Sequence, residues 1–402
     1  MPEGAATPVT SSGRHYLDHA STTPLRPAAR VLMTEWLERL GSAGGVGDPA
    51  RIHEEGRVVR EAVEAAREQV ASLCHVSPSR IVFTSGATEA ANTAIADAVA
   101  KRPGSPMVAA AVEHSCVREA AERLAPVLDP GVGPDATVDV ASLEQLLVDH
   151  REGRDLALVN CQWANHEVGT VQPVEAVSAL CRPGSRASPA AVPLHVDAAA
   201  AAGHMGIDVG ELGADYVSLS AHKLGGPPGV GALVLGRGVR LRPLIAGGAQ
   251  ERARRAGMEN VLGVVGFGAA ADAIEAALPA EAALARRLTD RIVAAASAIR
   301  GVRALGVPRR RLPHVICLSV EGVLGEAILL ALDRAGVAAH SGSACSSESL
   351  EPSPVLEAMG EDPDRSLRLS VGWSSTESDV DAFVAAFGPA VEKLRALGSR
   401  VS

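Results

Sequence analysis

Six short apolar runs, "RIVFTSG", "PMVAAAVEH", "LALVNCQW", "PLHVDAA", "DYVSLSAHK" and "VGALVLG", recur between residues 80 and 236. Each has the length of a strand and is nearly continuous, as in a sheet covered on both faces. Helical patterns alternate with strand patterns, and "RVVREAVEAAREQVASL" places apolar residues at helical spacing. That alternation predicts an α/β fold with a mostly parallel sheet. Ligands in such folds bind beyond the carboxyl ends of the strands, where polar or glycine-rich residues follow several of these runs. After about Glu275 the texture changes. "AALARRLTDRIVAAASAI" reads as a long helix, followed by "HVICLSVEG" and "EAILLALDRAG", which suggests a smaller α+β domain. The chain has 402 residues, long enough for two domains. The stretch "VPRRRLPH" reads as a basic surface loop, and the pieces at 126–136 and 182–193 as further loops.

A net charge of −9 argues against nonspecific nucleic-acid binding. No window approaches the roughly 18 consecutive apolar residues of a membrane helix. The opening "MPEGAATPVTSSGR" lacks a signal-peptide core and reads as a loose arm, so a cytoplasmic protein is expected. The six cysteines are Cys74, Cys116, Cys161, Cys181, Cys317 and Cys345. None forms a C-x-x-C pair, which speaks against a zinc knuckle or a dithiol motif, and no metal site is expected. Cys317 reads as a buried strand residue and Cys74 as the end of a helix.

The chain has 38 lysines and arginines, but its only lysines are Lys101, Lys223 and Lys393. Arginine can replace lysine as a charge but not as a nucleophilic amine. Lys223, in "SLSAHKLGGPPGVGALVLG", therefore suggests covalent chemistry. In "TSGATEAANTAIADA" a strand ends, a turn of small residues follows and a helix begins. Its free N–H groups and Thr88 could hold an anion, or the turn could be a simple cap. Asp197 ends the run "LHVD", where a buried carboxylate needs a partner. It could cap a helix, or hold the ring nitrogen of pyridoxal phosphate protonated. His114 in "AVEHSCV" and the group Asn165, His166 and Glu167 in "NHEVGT" also follow strand runs. An anion turn, an aspartate, a lysine and a histidine at strand ends of one sheet fit that cofactor together. Cys345 lies among small and polar residues in "AHSGSACSSESLEPS", the setting of an exposed nucleophile and not of a core thiol. Arg368 in "SLRLSVGW" could grip a carboxylate in a fork, or be a surface charge.

With these residues the chain resembles the bacterial cysteine desulfurases (NifS/IscS-like) of the class V aminotransferase superfamily, from "YLDHASTTPLRP" almost to its end. "FTSGATEAAN", "VEHSCV", "NHEVGTVQPV", "HVDAAAAAG", "SLSAHKLGGPPGVGALV", "GGAQERARRAGMEN" and "SGSACSSESLEPS" carry the likeness in order. The resemblance implies a fold-type I enzyme with a mostly parallel seven-stranded sheet. It implies a large domain at 27–275 and a small one built from 1–26 and 276–402. Lys223 would form the Schiff base with pyridoxal phosphate and shuttle the Cα proton. Asp197 would pair with the pyridinium nitrogen, and His114 would stack on the ring and assist proton transfer. Thr88, Ser220 and His222 would hold the phosphate, with Ala87 also at the cofactor. Arg368, and Asn165 beside it, would bind substrate. Cys345 would take sulfur from L-cysteine as a persulfide, leaving L-alanine. A homodimer would result, passing sulfur to an iron–sulfur scaffold, a tRNA-thiolation protein or a specialised pathway, with no direct contact to nucleic acid or membrane.

Three departures from the family pattern stand out. His166 replaces the second of two asparagines. Ala200 stands where a glutamine donates to the cofactor O3′. Met258 stands where a threonine reaches the neighbouring subunit's phosphate. In addition, "DPAR" replaces "NPAS" and is one residue shorter. One reading is that the His166 ring N–H donates to O3′ in place of both amides; another is that water fills the gap. Two other functions stay open: a pyridoxal-phosphate lyase acting on selenocysteine or another amino acid, and a degenerate, non-catalytic partner subunit.

Overall fold

The computed structural model describes residues 13–42, 47–150, 156–185, 191–307, 309–341 and 352–398. Strand β1 (His15–Tyr16) precedes helices α1 (Pro27–Leu40) and α2 (Glu54–Leu73). The central sheet contains β2 (Ile81–Thr84), β3 (Met107–Val108), β4 (Val127–Leu128), β5 (Leu158–Gln162), β6 (Leu194–Asp197), β7 (Tyr216–Ser220) and β8 (Gly231–Leu235). Between them run α3 (Ala87–Lys101), α4 (Ser115–Leu124), α5 (Val140–Asp149), α6 (Val174–Cys181) and α7 (Val209–Leu212). Helices α8 (Gln250–Ala253) and α9 (Val261–Ser297) lead to β9 (Val302–Ala304), β10 (Val315–Val320), α10 (Gly325–Arg334) and β11 (Val337–Ala338). The chain then forms α11 (Pro354–Ala358), β12 (Ser366–Ser370) and α12 (Glu377–Gly398).

The seven strands lie in the order β2-β8-β7-β6-β5-β3-β4. Only β8 runs against its neighbours; the other pairings are parallel. All six apolar runs supply strands to this sheet, although the run at 106–114 contributes only Met107 and Val108. The stretch 126–136 is not wholly a loop, because Val127 and Leu128 pair with β3 as the edge strand. The stretch at 307–314 is not a surface loop either. Arg309 and Arg310 are exposed, but Arg311, Leu312, Pro313 and His314 are buried. The Arg311 guanidinium donates to Thr289 Oγ1 and to the Leu312 and Val315 carbonyls. Burying it is tolerable because these acceptors replace water.

Helix α2 starts at His53, whose ring accepts from the Gly56 amide, and buries Val59, Val63, Ala66 and Val70 on one face. It packs tightly on α9. A Cβ at Gly268 would lie 2.6 Å from Ala66 Cα, so only glycine permits the approach. By length and composition α9 could cross a membrane, yet 56% of its most apolar window is buried within the protein. That is the profile of a core helix. The boundary expected between residues 275 and 276 falls inside it. Ile274 packs in the apolar cluster under the seven-stranded sheet, and Ala285, Leu288 and Ile292 pack in a second cluster with Leu17, β10, β12 and α12. Cys317 is buried on β10 and Cys74 caps α2, as expected.

Candidate active site

The carboxyl ends of β2, β5, β6 and β7 meet at one edge of the sheet, where β8 begins. A cavity of about 500 Å³ opens there. Ala87, Thr88, His114, His166, Asp197 and Ser220 line it, and so do His222, Lys223 and Arg368. A larger groove of about 750 Å³ lies beside Arg80 and Arg237 at the far end of β8, and it gathers none of these groups.

At the start of α3, Gly86 offers no side-chain cap, so the first amides of a 15-residue helix face outward. The nearby Glu89 carboxylate is engaged: it accepts from the Ser85 amide at 2.8 Å and pairs with Arg255 at 3.0 Å. The turn is pressed against β8. A Cβ on Gly231 would lie 2.7 Å from Gly86 Cα and 2.4 Å from the Leu219 carbonyl. Ser220 and His222 approach from the end of β7 through a short 3-10 turn that ends on Lys223. The His204 ring holds the Lys223 carbonyl at 3.1 Å.

His114 caps α4, and its Nδ1 accepts from the Cys116 amide at 3.1 Å. The ring proton therefore sits on Nε2. Burial, then the Lys223 charge, hold the imidazole below its usual pKa, in the neutral form. The His114 and His166 rings meet edge to face at 4.9 Å. His166 is buried and its Nδ1 has no hydrogen-bond partner among the described residues. Asp197 Oδ1 accepts from the Ala199 amide and from Ser218 Oγ, both at 3.0 Å. Arg368 projects from β12. Its guanidinium reaches Ser21 Oγ at 2.6 Å, Asp18 at 3.0 Å and the His166 carbonyl at 3.2 Å, while Nε has no hydrogen-bond partner among the described residues. It is buried, so the surface-charge reading does not hold.

One expected site residue is not brought to the cavity. Asn165 is fully buried; its Oδ1 accepts from the Glu167 and Val168 amides and its Nδ2 donates to the Val112 carbonyl. The side chain is consumed in shaping the turn. Cys345 lies outside the described residues, as does the N-terminal arm before Gly13. Sequence reasoning missed Cys116 and Gln162, which also line the cavity, and Asp18 and Ser21, which orient Arg368. The last two sit in "YLDHASTTP", whose polar residues after a strand were a usable signal. Among the described residues, no cluster of His, Cys, Asp and Glu is arranged to hold a metal ion.

The residues present fit pyridoxal phosphate. An uncapped helix start suits a phosphate, and Asp197 and Lys223 share the cavity with it. His166 Nδ1 is a buried polar atom that lacks a partner among the described residues. Ala200 and His166 line one small void beside Lys223, while Met258 is exposed and lines a neighbouring depression that shares Ser85 and Gly229 with the cavity.

A family model for class-V aminotransferases matches residues 15–383. The chain belongs to the class-V aminotransferase family. Cysteine desulfurase IscS 1 of Archaeoglobus fulgidus is 37% identical over 391 residues, covering 95% of this chain and 98% of its own. An IscS-like cysteine desulfurase of Mycobacterium tuberculosis is 38% identical over 395 residues, 94% of this chain and 97% of that one. Among solved structures, a NifS-like protein superposes with a TM-score of 0.85 at 29% identity, over 95% of this chain and 100% of that one. SspA in complex with cysteine superposes at 0.72 with 25% identity, over 90% and 100%.

The histidines around this family site set an acid limit on folding. Burial lowers His19 and His195 to about 4, and His166 and His314 well below the usual value. As pH falls through 6.5 the unfolded chain takes up protons that the folded chain refuses, so stability is lost at about 2 kcal/mol per histidine by pH 5. Glu113 and Glu167 act oppositely, since burial raises them to about 8 and about 7. Their protonated folded forms return about 2 kcal/mol each between pH 7 and pH 5. Four groups outweigh two. The urea midpoint of the cofactor-free protein should fall between pH 7 and pH 5; a flat or rising midpoint would contradict this balance.

Proposed function

We propose that this protein is a pyridoxal-phosphate-dependent cysteine desulfurase that works as a cytoplasmic homodimer. The observation that carries the reading is the convergence of Lys223, Asp197, His114 and Arg368 on one cavity. Relatives at 37–38% identity named as cysteine desulfurases support it. When bound, pyridoxal phosphate supplies an electron sink for the substrate Cα. Thr88, Ser220, His222 and the Ala87 end of α3 hold its phosphate, and Asp197 holds its ring nitrogen. Lys223 would tether the cofactor through its amine and would move the Cα proton. His114, with its proton on Nε2, donates at the cavity wall. Arg368 grips the substrate carboxylate, and Asp18 and Ser21 hold the guanidinium ready.

Cys345 then attacks the substrate sulfur as a thiolate. An S–S bond forms and the substrate C–S bond breaks, so one cysteine and one protein thiol give alanine and a persulfide. The five other cysteines are poorly suited to this step. All are free, and burial pushes every one of their thiols up, Cys74, Cys181 and Cys317 to about 12. Five free thiols are also in keeping with a reducing compartment. The persulfide sulfur passes to an acceptor protein, such as an iron–sulfur scaffold, a tRNA-thiolation protein or a component of a specialised pathway. The deciding experiment is incubation of the loaded protein with cysteine in the absence of reductant. Intact mass and peptide mapping should find one added sulfur on Cys345. Its absence, with no alanine released, would overturn the reading.

Support for the homodimer comes from Leu244, Ile245 and Met258, apolar residues that are 48%, 40% and 61% exposed in the segment before α9. With Met258 facing the neighbouring subunit's phosphate, Met258→Thr adds a hydrogen bond to a charged group, a gain of about 1.5–3 kcal/mol. Affinity for pyridoxal phosphate should then tighten at least about tenfold. An unchanged affinity would remove Met258 from that role. In this chain's own cavity, His166→Ala should change the pH titration of the loaded protein's visible absorbance, because Nδ1 would donate to the cofactor O3′. An unchanged titration would instead favour water in that place.

A further inference from the structure

Beneath Asp197, four side chains from three adjacent strands form one buried polar chain. Asn160 lies on β5, His195 and Asp197 on β6, and Ser218 on β7. The register sets Asn160 against His195 and Asp197 against Ser218. Residues 195 and 197 share a sheet face because strand side chains alternate. All four are buried, His195 and Ser218 completely.

The hydrogen positions follow from the partners. Asn160 Nδ2 donates to the Val108 carbonyl at 3.1 Å, and a carbonyl can only accept, so the amide orientation is fixed. Asn160 Oδ1 therefore faces His195 Nδ1 at 3.0 Å, and Nδ1 must carry the hydrogen. On the other side of the ring, Nε2 lies 3.2 Å from Ser218 Oγ, which lies 3.0 Å from Asp197 Oδ1. Burial keeps the imidazole neutral at physiological pH. Its Nε2 is then a lone pair. One hydroxyl hydrogen faces two acceptors, Nε2 and the carboxylate.

We propose that His195 is a positioning residue for the cofactor's ring nitrogen: Nε2 competes with Asp197 for the shared Ser218 hydroxyl hydrogen, weakening that contact and leaving more of the carboxylate's charge for that nitrogen. The inference rests on the reading of the cavity as a pyridoxal-phosphate site. Glu113, His114 and Cys116 also act on Asp197 from the segment that follows β3. Burial leaves all three uncharged near neutral pH: the Glu113 carboxyl is raised to about 8, His114 is lowered and the Cys116 thiol is raised. The hydroxyl shared with His195 is thus the adjustable contact on that carboxylate.

Two substitutions should act with opposite sign. His195→Asn keeps a donor toward Asn160 but deletes the Nε2 acceptor, so Ser218 turns wholly to Asp197 and competes with the ring nitrogen. Ser218→Ala removes the competing donor altogether. The readout is nitrogen-15 NMR of holoprotein loaded with ring-labelled pyridoxal phosphate, titrated with pH. Protonation of the ring nitrogen should weaken roughly tenfold in His195→Asn, the size of one neutral hydrogen bond, and strengthen in Ser218→Ala. Shifts of the same sign, or none, overturn the inference. If His195→Asn does not fold, Ser218→Ala must still strengthen protonation. In addition, nitrogen-15 histidine spectra of the wild-type protein must place the His195 proton on Nδ1; a proton on Nε2 overturns the inference. A wild-type protein that takes up no pyridoxal phosphate overturns the cofactor reading and this inference together. Tight binding with unchanged titrations overturns the inference alone.

Discussion

Lys223→Ala lowers alanine formation from cysteine by about 10⁴-fold, the loss expected when a positioned proton-transfer group and its covalent tether go together. No sulfur accumulates on Cys345 in the variant. Lys223→Arg is no better, because a guanidinium keeps the charge but neither forms the covalent link nor deprotonates. The effect on folding is small by comparison, since the lysine is not part of the buried core and its turn is held by the Leu224 and Gly226 amides on the Ala221 carbonyl and by the His204 ring on the Lys223 carbonyl. Alanine release and the mass of the Cys345 peptide measure the first effect, and urea denaturation measures the second. Alanine released by Lys223→Ala within about tenfold of the wild-type rate would move the chemistry to another amine.

Glu251→Gln costs up to about 3–5 kcal/mol of stability, because it removes the buried charge that faces Arg67 and leaves the guanidinium only the half-exposed Glu64 at 3.1 Å and the Ile81 carbonyl. Arg67 and Glu251 form a two-pronged pair at 2.7 and 2.8 Å, with side chains only 4% and 2% exposed. Glu251 also accepts from the Phe83 amide at 3.0 Å, and the Arg67 guanidinium lies 4.7 Å over the Phe83 ring. The pair ties α2 and β2 to a segment whose backbone is itself unusual. Glu251, Arg252 and Ala253 all have positive φ, at 49°, 60° and 60°, a region that costs free energy for residues with a Cβ. Replacing both partners, Arg67→Met with Glu251→Leu, should cost less than Glu251→Gln alone, since no charge is then stranded. A Glu251→Gln protein within about 1 kcal/mol of wild type in urea unfolding would refute this. Arg255 follows directly and holds Glu89 at the start of α3, so the damage should also reach the α3 end of the cavity.

Much of this could be read from the order of residues. The apolar runs marked six sheet strands because parallel strands covered on both faces have no polar alternation to hide. The scarcity of lysine singled out Lys223, and the strand-end motifs gave nearly all of the cavity wall. What escaped was set by long-range pairing. β4 has only two residues and exists because β3 offers an edge. Arg311 looked like surface charge, and only the fold supplies Thr289 and two carbonyls to receive it. Asn165 looked like a ligand-binding amide, but its turn uses both ends of the side chain. Conversely, the link between Asn160, His195 and Ser218 was not legible although His195 and Ser218 open two of the motifs, because their relation is across strands and no local spacing encodes it.

Helix α9 packs one apolar cluster with its first half and another with its second. A rod shared in this way denies either part a life of its own. Cutting the gene near residue 275 would give each fragment half a helix and an open core. The two halves of the fold must then melt as a single cooperative unit, and neither can be moved by shuffling into another chain without the other.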